Sequence, residues 1–277
     1  MKIAFNEATT LKNSTLIQDL ELCEKYGYDY IEIRLDKLKE YMQERTVEDL
    51  KQFFIDNRIK PYAFNALEFI TFREKEDWEQ IIQDLSFLCE VGEQIDCRKI
   101  VAVPTFDIGE YTLSEIKKET VKALKELSDI AEPKGIRIAF EFVGYPNCSV
   151  NTLGQTIEII NEVNKENVGI VLDCFHFYAM NSRLEDLQKI DRSKIFVFHI
   201  DDSEDLPFGA LRDHNRVWPG EGVVDLESIL THLIQIGYDE MVSIEIFRPE
   251  YWELSPEETI KIAKEKTVEI ISRYFEV

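Results

Sequence analysis

The sequence predicts a single-domain (β/α)8 TIM barrel over residues 1–277. Short apolar runs alternate with longer amphipathic stretches along the whole chain, and about eight such units can be counted. The length agrees with the roughly 250 residues over which such barrels close as one domain. An open doubly wound sheet is the rival for alternating strands and helices. No G-x-G-x-x-G or G-x-x-x-x-G-K-[ST] follows any strand, so the barrel is favoured.

The strand candidates, in order, are Lys2 to Asn6, Tyr30 to Arg34, Pro61 to Asn65, Lys99 to Val103, Arg137 to Phe142, Gly169 to Asp173, Ile195 to Ile200 and Val242 to Phe247. Each is rich in Ile, Val, Phe or Ala and short enough for a barrel stave. Helix starts are marked by Ser14 before LIQDLELCEKYG, Thr46 before VEDLKQFFIDN, and Ser255 before PEETIKIAKEK, where Pro256 takes a first helical position. Gly27, Gly92, Gly135 and Gly237 sit where left-handed helix stops are expected. Residues Asp201 to Val224 form one long stretch with Pro207, Pro219 and no helical pattern, the signature of a functional loop.

Hydrophobic residues make up 44% and aromatics 11%, which suffices for a buried core. A formal net charge of −22 opposes nucleic acid and anionic membrane as partners. The start, MKIAFNEATT, lacks an apolar signal core, and no run approaches the roughly 18 apolar residues of a membrane span, so a cytoplasmic protein is expected. The cysteines Cys23, Cys89, Cys97, Cys148 and Cys174 show no C-x-x-C spacing and are expected to be reduced and mostly buried. A homo-oligomer fits the pattern as well as a monomer does, since exposed helix faces and interface faces read alike.

Barrel chemistry sits at the C-terminal ends of the strands. There Glu141 falls near the end of strand five, Asp173 at the end of strand six with His176 just beyond, His199 in strand seven and Glu245 in strand eight. A lone glutamate in a strand ordinarily faces solvent or a salt-bridge partner. Four ligand-type residues at equivalent ends of four consecutive strands are a different matter. Carboxylates inside runs such as IAFEF and SIEIF need a compensating charge, and one divalent metal ion supplies it. Three carboxylates and one imidazole suit Mn2+, Co2+ or Mg2+ and accept Zn2+.

In context these residues resemble the xylose-isomerase-like barrel superfamily of sugar isomerases, epimerases and endonuclease IV. Its members carry Glu after strand five, D-x-x-H after strand six, His at strand seven and Glu at strand eight. FNEATT, ELCEKYGYDYIEIR, EFVG, VGIVLDCFHFYAM, IFVFHIDDSED, RVWPGEG and EIFRPEYW resemble, more narrowly, the inosose isomerases of bacterial inositol catabolism, over essentially the whole chain. The resemblance implies Glu141, Asp173, His199 and Glu245 as metal ligands, with Glu141 and Glu245 also moving the proton. It implies His176, through D-x-x-H, and Arg216, through R-V-W-P-G, as contacts to substrate oxygens. Arg248, after the last ligand, is a further candidate for binding the substrate.

Trp218, Pro219 and Gly220 read as shaping the loop, His214 as facing solvent and His232 as structural. Early strand ends offer Glu7, Glu32, Arg34 and Asn65, to bind hydroxyls or to pair locally. The expected reaction is the interconversion of 2-keto-myo-inositol and 1-keto-chiro-inositol, small polyhydroxylated ketones. A bound cation would stabilise the enediolate while a carboxylate shuttles the proton. A ketose epimerase, another sugar isomerase or an inosose dehydratase is the alternative; a sugar-binding barrel without activity is disfavoured by the intact constellation. Endonuclease IV activity is disfavoured by the small number of histidines, four in all, and the acidic chain.

Overall fold

Each of the eight apolar runs forms a barrel strand in the computed structural model, which describes residues Met1–Val277. In chain order the strands are β1 (Lys2–Asn6), β2 (Tyr30–Arg34), β3 (Lys60–Leu67), β4 (Lys99–Ala102), β5 (Arg137–Glu141), β6 (Val168–Asp173), β7 (Ile195–Ile200), β8 (Asp202–Ser203), β9 (Arg216–Val217) and β10 (Met241–Ile244). All but β8 and β9 close into a parallel barrel, in which β10 pairs with both β7 and β1. No helix is long and apolar enough to cross a membrane.

Successive side chains on a strand point to opposite faces, so every second residue enters the barrel. Ile3, Phe5, Ile170, Leu172, Val242 and Ile244 face outward into the large core between sheet and helices. Ala63, Val101, Ala139, Val171 and Phe196 belong to a separate, smaller cluster inside the barrel. The same alternation carries Glu141, Asp173 and Glu245 inward, two residues beyond Ala139, Val171 and Ser243.

The main outer helices are Leu16–Lys25, Lys75–Ile95, Leu113–Ala131, Leu153–Val163, Leu226–Ile236 and Pro256–Ile271, with shorter helices between them. Thr46 and Ser255 cap their helices as expected, each in a reciprocal capping box. The first helix starts one residue later than the sequence suggests, because Thr15 and Gln18 form its capping box and Ser14 lies outside. Gly27, Gly135 and Gly237 adopt the left-handed conformation, but Gly92 is helical and the stop falls on Asp96, φ 60°. Gly92 serves close packing instead: a Cβ there would lie 2.5 Å from the Cys97 carbonyl oxygen.

The long segment after β7 is ordered, and a short 3-10 turn at Asp213–Asn215 interrupts it. β8 and β9 pair antiparallel, with Ser203 opposite Arg216. The Asp202 carboxylate gathers the segment by accepting N–H bonds from Ser203, Gly220 and Val224 at 2.8–3.0 Å. All five cysteines are free and buried.

Inside the barrel, Gly169 makes room for the Phe196 ring: a Cβ there would lie 2.5 Å from the Lys194 carbonyl oxygen and 2.6 Å from the ring. Gly169→Ala should therefore lower the unfolding free energy by about 2–3 kcal/mol through overpacking, measured by denaturant titration. An unchanged midpoint would show that the barrel interior can yield there.

Candidate metal centre

Glu141 and Asp173 are the last residues of β5 and β6, and Glu245 directly follows β10. His199 stands on β7 in register with Asp173 on one side and Ser243 on the other. All four side chains are buried, and their ligand atoms lie within 4.8 Å of one another. The His199 Nδ1 is 3.2 Å from Glu141 Oε1, 3.2 Å from Glu245 Oε2 and 3.6 Å from Asp173 Oδ2.

The other ring nitrogen, Nε2, meets the fully buried Glu32 carboxylate at 3.0 Å. A carboxylate can only accept, so Nε2 carries the proton there. That leaves the Nδ1 lone pair among three carboxylates, a repulsive arrangement unless a proton or a cation stands between them. Burial lowers the His199 pKa, but Glu245 and Glu32 outweigh it and hold the ring well above the usual imidazole range. A divalent ion in place of the Nδ1 proton would satisfy all four donors, and a set of three carboxylates and one imidazole is suited to one. The residues fit a metal.

Neighbouring groups fix each donor. Glu245 Oε1 accepts from the amides of Asn6 at 2.8 Å and Asn65 at 3.0 Å, which turns Oε2 toward His199. Asp173 Oδ1 caps the short helix after β6 by accepting the His176 N–H at 2.6 Å, and its Oδ2 accepts from Arg216 Nη1 at 2.8 Å. Burial raises the Asp173 pKa, but Arg216 leads the opposing charges that bring it below the ordinary carboxylate value. Glu141 has no such donors, and burial together with the Glu245 charge pushes it up to about 8 against the pull of His199.

Arg216 is fully buried and also pairs with Asp201 and, at 3.2 Å, with Asp213. Its Nη2 donates to His176 Nε2 at 3.0 Å, which leaves the proton of the neutral His176 ring on Nδ1, a buried atom with no partner. Glu141, His176, Arg216, Glu245 and Asn65 share the wall of a cavity of about 240 Å3. That is below the roughly 300–1,000 Å3 of sites for drug-sized ligands, and a small ring fits it.

The model of the xylose isomerase-like TIM barrel family matches residues 20–267. The chain belongs to that family. Among its relatives, this xylose isomerase-like barrel is 51% identical to the inosose isomerase of Bacillus subtilis, over 99% of both chains. It is 50% identical to that of Halalkalibacterium halodurans, over 99% of this chain and 98% of the relative. A solved structure described as IolI protein with a binding zinc atom superposes on this barrel with a TM-score of 0.97, at 51% identity and over the full length of both chains. The resemblance drawn from the motifs thus holds over the whole length.

The structure brings Glu141, Asp173, His199, Glu245, His176 and Arg216 to one end of this xylose isomerase-like barrel. The Arg248 guanidinium is held by Glu204 at 2.8 Å and Glu250 at 3.3 Å, so it braces the segment after β7. Arg34 and Asn65 line the cavity, whereas Glu7 pairs locally, accepting the Arg34 N–H at 2.8 Å. Trp218 stacks on Tyr251 at 4.1 Å, His214 is exposed, and His232 meets the Leu187 carbonyl at 2.8 Å.

Two supporting groups were missed at sequence level. Asn6 ends β1 on the inward parity, a signal that the four-ligand pattern overshadows. Asp201, which accepts the Phe175 N–H at 2.7 Å, directly follows β7, and nothing in IDDSED sets it apart from its acidic neighbours.

A carboxylate behind a ligating imidazole orients the ring and raises its basicity. Glu32→Gln should therefore weaken divalent-metal affinity about tenfold with the fold intact, measured by competition with a chelator. Unchanged affinity would mean that His199 is oriented without Glu32.

Proposed function

We propose that this chain is a divalent-metal-dependent isomerase that interconverts 2-keto-myo-inositol and 1-keto-chiro-inositol in inositol catabolism. The observation that carries the reading is the four-donor cluster beside a small cavity, in a chain half identical over its full length to inosose isomerases. Glu141, Asp173, His199 and Glu245 would hold one ion. Zn2+ is the ion of the solved relative, and Mn2+, Co2+ and Mg2+ also suit the donor set. When bound, the ion polarises the ketone and stabilises negative charge on its oxygen.

The remaining work belongs to the chain. Glu245, ionised and oriented by the Asn6 and Asn65 amides, takes the proton from the carbon beside the ketone. A proton held on Glu141, which shares the cavity wall across the His199 ring from Glu32, adds to the former carbonyl carbon while the neighbouring hydroxyl proton passes to the old carbonyl oxygen; the carbonyl shifts by one position, and exchange with solvent resets the two carboxylates. The unpartnered His176 Nδ1 donates to a substrate hydroxyl, and Arg216 fixes His176 in that orientation while holding Asp173.

Incubated with 2-keto-myo-inositol in heavy water, the metal-loaded protein should give a product with a shifted carbonyl and no loss of water, carrying deuterium at the exchanged carbon. Loss of one water would identify a dehydratase. Glu245→Gln keeps the shape and removes the base, so it should lower kcat by about 10²–10⁴-fold. If the Glu141→Gln and Glu245→Gln variants both keep metal and near-normal exchange, neither carboxylate is the base.

A further inference from the structure

Where β3 and β4 end, the cavity lining includes the apolar Ala66, Phe69, Val103 and Phe106, beside the polar Arg34, Asn65 and Glu68. A substrate with oxygen on every ring carbon would set hydroxyls against hydrocarbon there, at the cost of unpaired polar groups, unless the ring has a face without oxygen. A six-membered ring with all its hydroxyls equatorial has such faces. Its oxygens form the rim, and only axial C–H bonds project above and below.

Phe69 stands out within this wall. Its φ of 60° lies in the left-handed region, which a bulky side chain rarely adopts. The backbone on either side is pinned, because the Val103 N–H donates to the Leu67 carbonyl at 2.9 Å and the Ile70 N–H to the Val103 carbonyl at 3.1 Å. The ring meets Phe106 edge-on at 5.5 Å, yet Phe69 is only half-buried and belongs to none of the core clusters. Core packing therefore does not account for the strain. Strained backbone that the surroundings enforce is characteristic of ligand clamps.

We propose that Phe69, backed by Phe106, is a specificity-determining wall that takes the apolar face of an all-equatorial cyclic polyol and rejects axial hydroxyls. The proposal rests on the inosose reading of the site and deepens it. Of the two inososes, it makes 2-keto-myo-inositol, all of whose hydroxyls are equatorial, the better ligand. Glu141 and Glu245 reach the ring from its other face, where the axial C–H to be removed projects, so the phenyl wall sorts stereoisomers without touching the reacting atoms.

The test uses two unreactive probes, scyllo-inositol, which has only equatorial hydroxyls, and chiro-inositol, which has axial ones, titrated calorimetrically into the metal-loaded protein. An apolar pocket discriminates against an added hydroxyl by roughly 10- to 100-fold, and the wild type should prefer scyllo-inositol by that margin. Phe69→Gly relieves the backbone and removes the ring. It should bring the two affinities within about twofold while leaving the thermal midpoint unchanged or raised. A wild type without preference would overturn the proposal. So would a Phe69→Gly variant that keeps the preference, or one that loses it only together with its stability. Failure of the isomerase reading would appear separately, as a wild type that leaves 2-keto-myo-inositol unconverted.

Discussion

His199 is buried with a carboxylate against each of its ring nitrogens, Glu32 at Nε2 and Glu141 and Glu245 at Nδ1. Each buried charge costs several kcal/mol unless it is compensated, and Asp173 and Asp201 add two more. Arg216 is the permanent cation within reach of Asp173, Asp201 and Glu245, so the cluster stays negative at its centre. Much of the local structure follows from that imbalance. Two amides hold Glu245, a helix N-terminus holds Asp173, and a fully buried guanidinium closes the set.

The barrel makes such a concentration of charge possible. Hydrogen bonding all round the sheet and a packed interior carry the fold, so the top layer is free to hold groups that oppose stability. The segment after β7 adds what the strands cannot. Its hairpin, gathered by Asp202, delivers Arg216 into the cluster, and Arg216 then aligns His176 over the cavity. On the proposed reading, one face of the substrate would meet donors and proton carriers while the other meets phenyl rings.

The fold was legible because strand and helix periodicities differ and each β/α unit repeats them. The four ligand candidates were legible because a charged residue inside IAFEF or SIEIF contradicts its neighbours. Support from distant parts of the chain was harder to see. Asn6 and Asn65 reach Glu245 from 239 and 180 residues away, and nothing local to either marks the contact. Arg248 shows the converse: its place after a ligand suggested a substrate contact, but nothing local announces its pairing with Glu204 in the segment after β7. Gly92 misled because a glycine near a helix end serves as a stop or as a packing gap, and only the neighbouring Cys97 carbonyl decides which.

Calorimetric titration of the metal-free protein with Zn2+ or Mn2+ bears most directly on the proposed cation. One ion per chain should bind with release of a proton, as the His199 imidazolium gives up its Nδ1 hydrogen, and Asp173→Ala or His199→Ala should abolish or greatly weaken that binding. Absence of stoichiometric binding, or binding undiminished in both variants, would contradict the assignment of these four side chains to a metal.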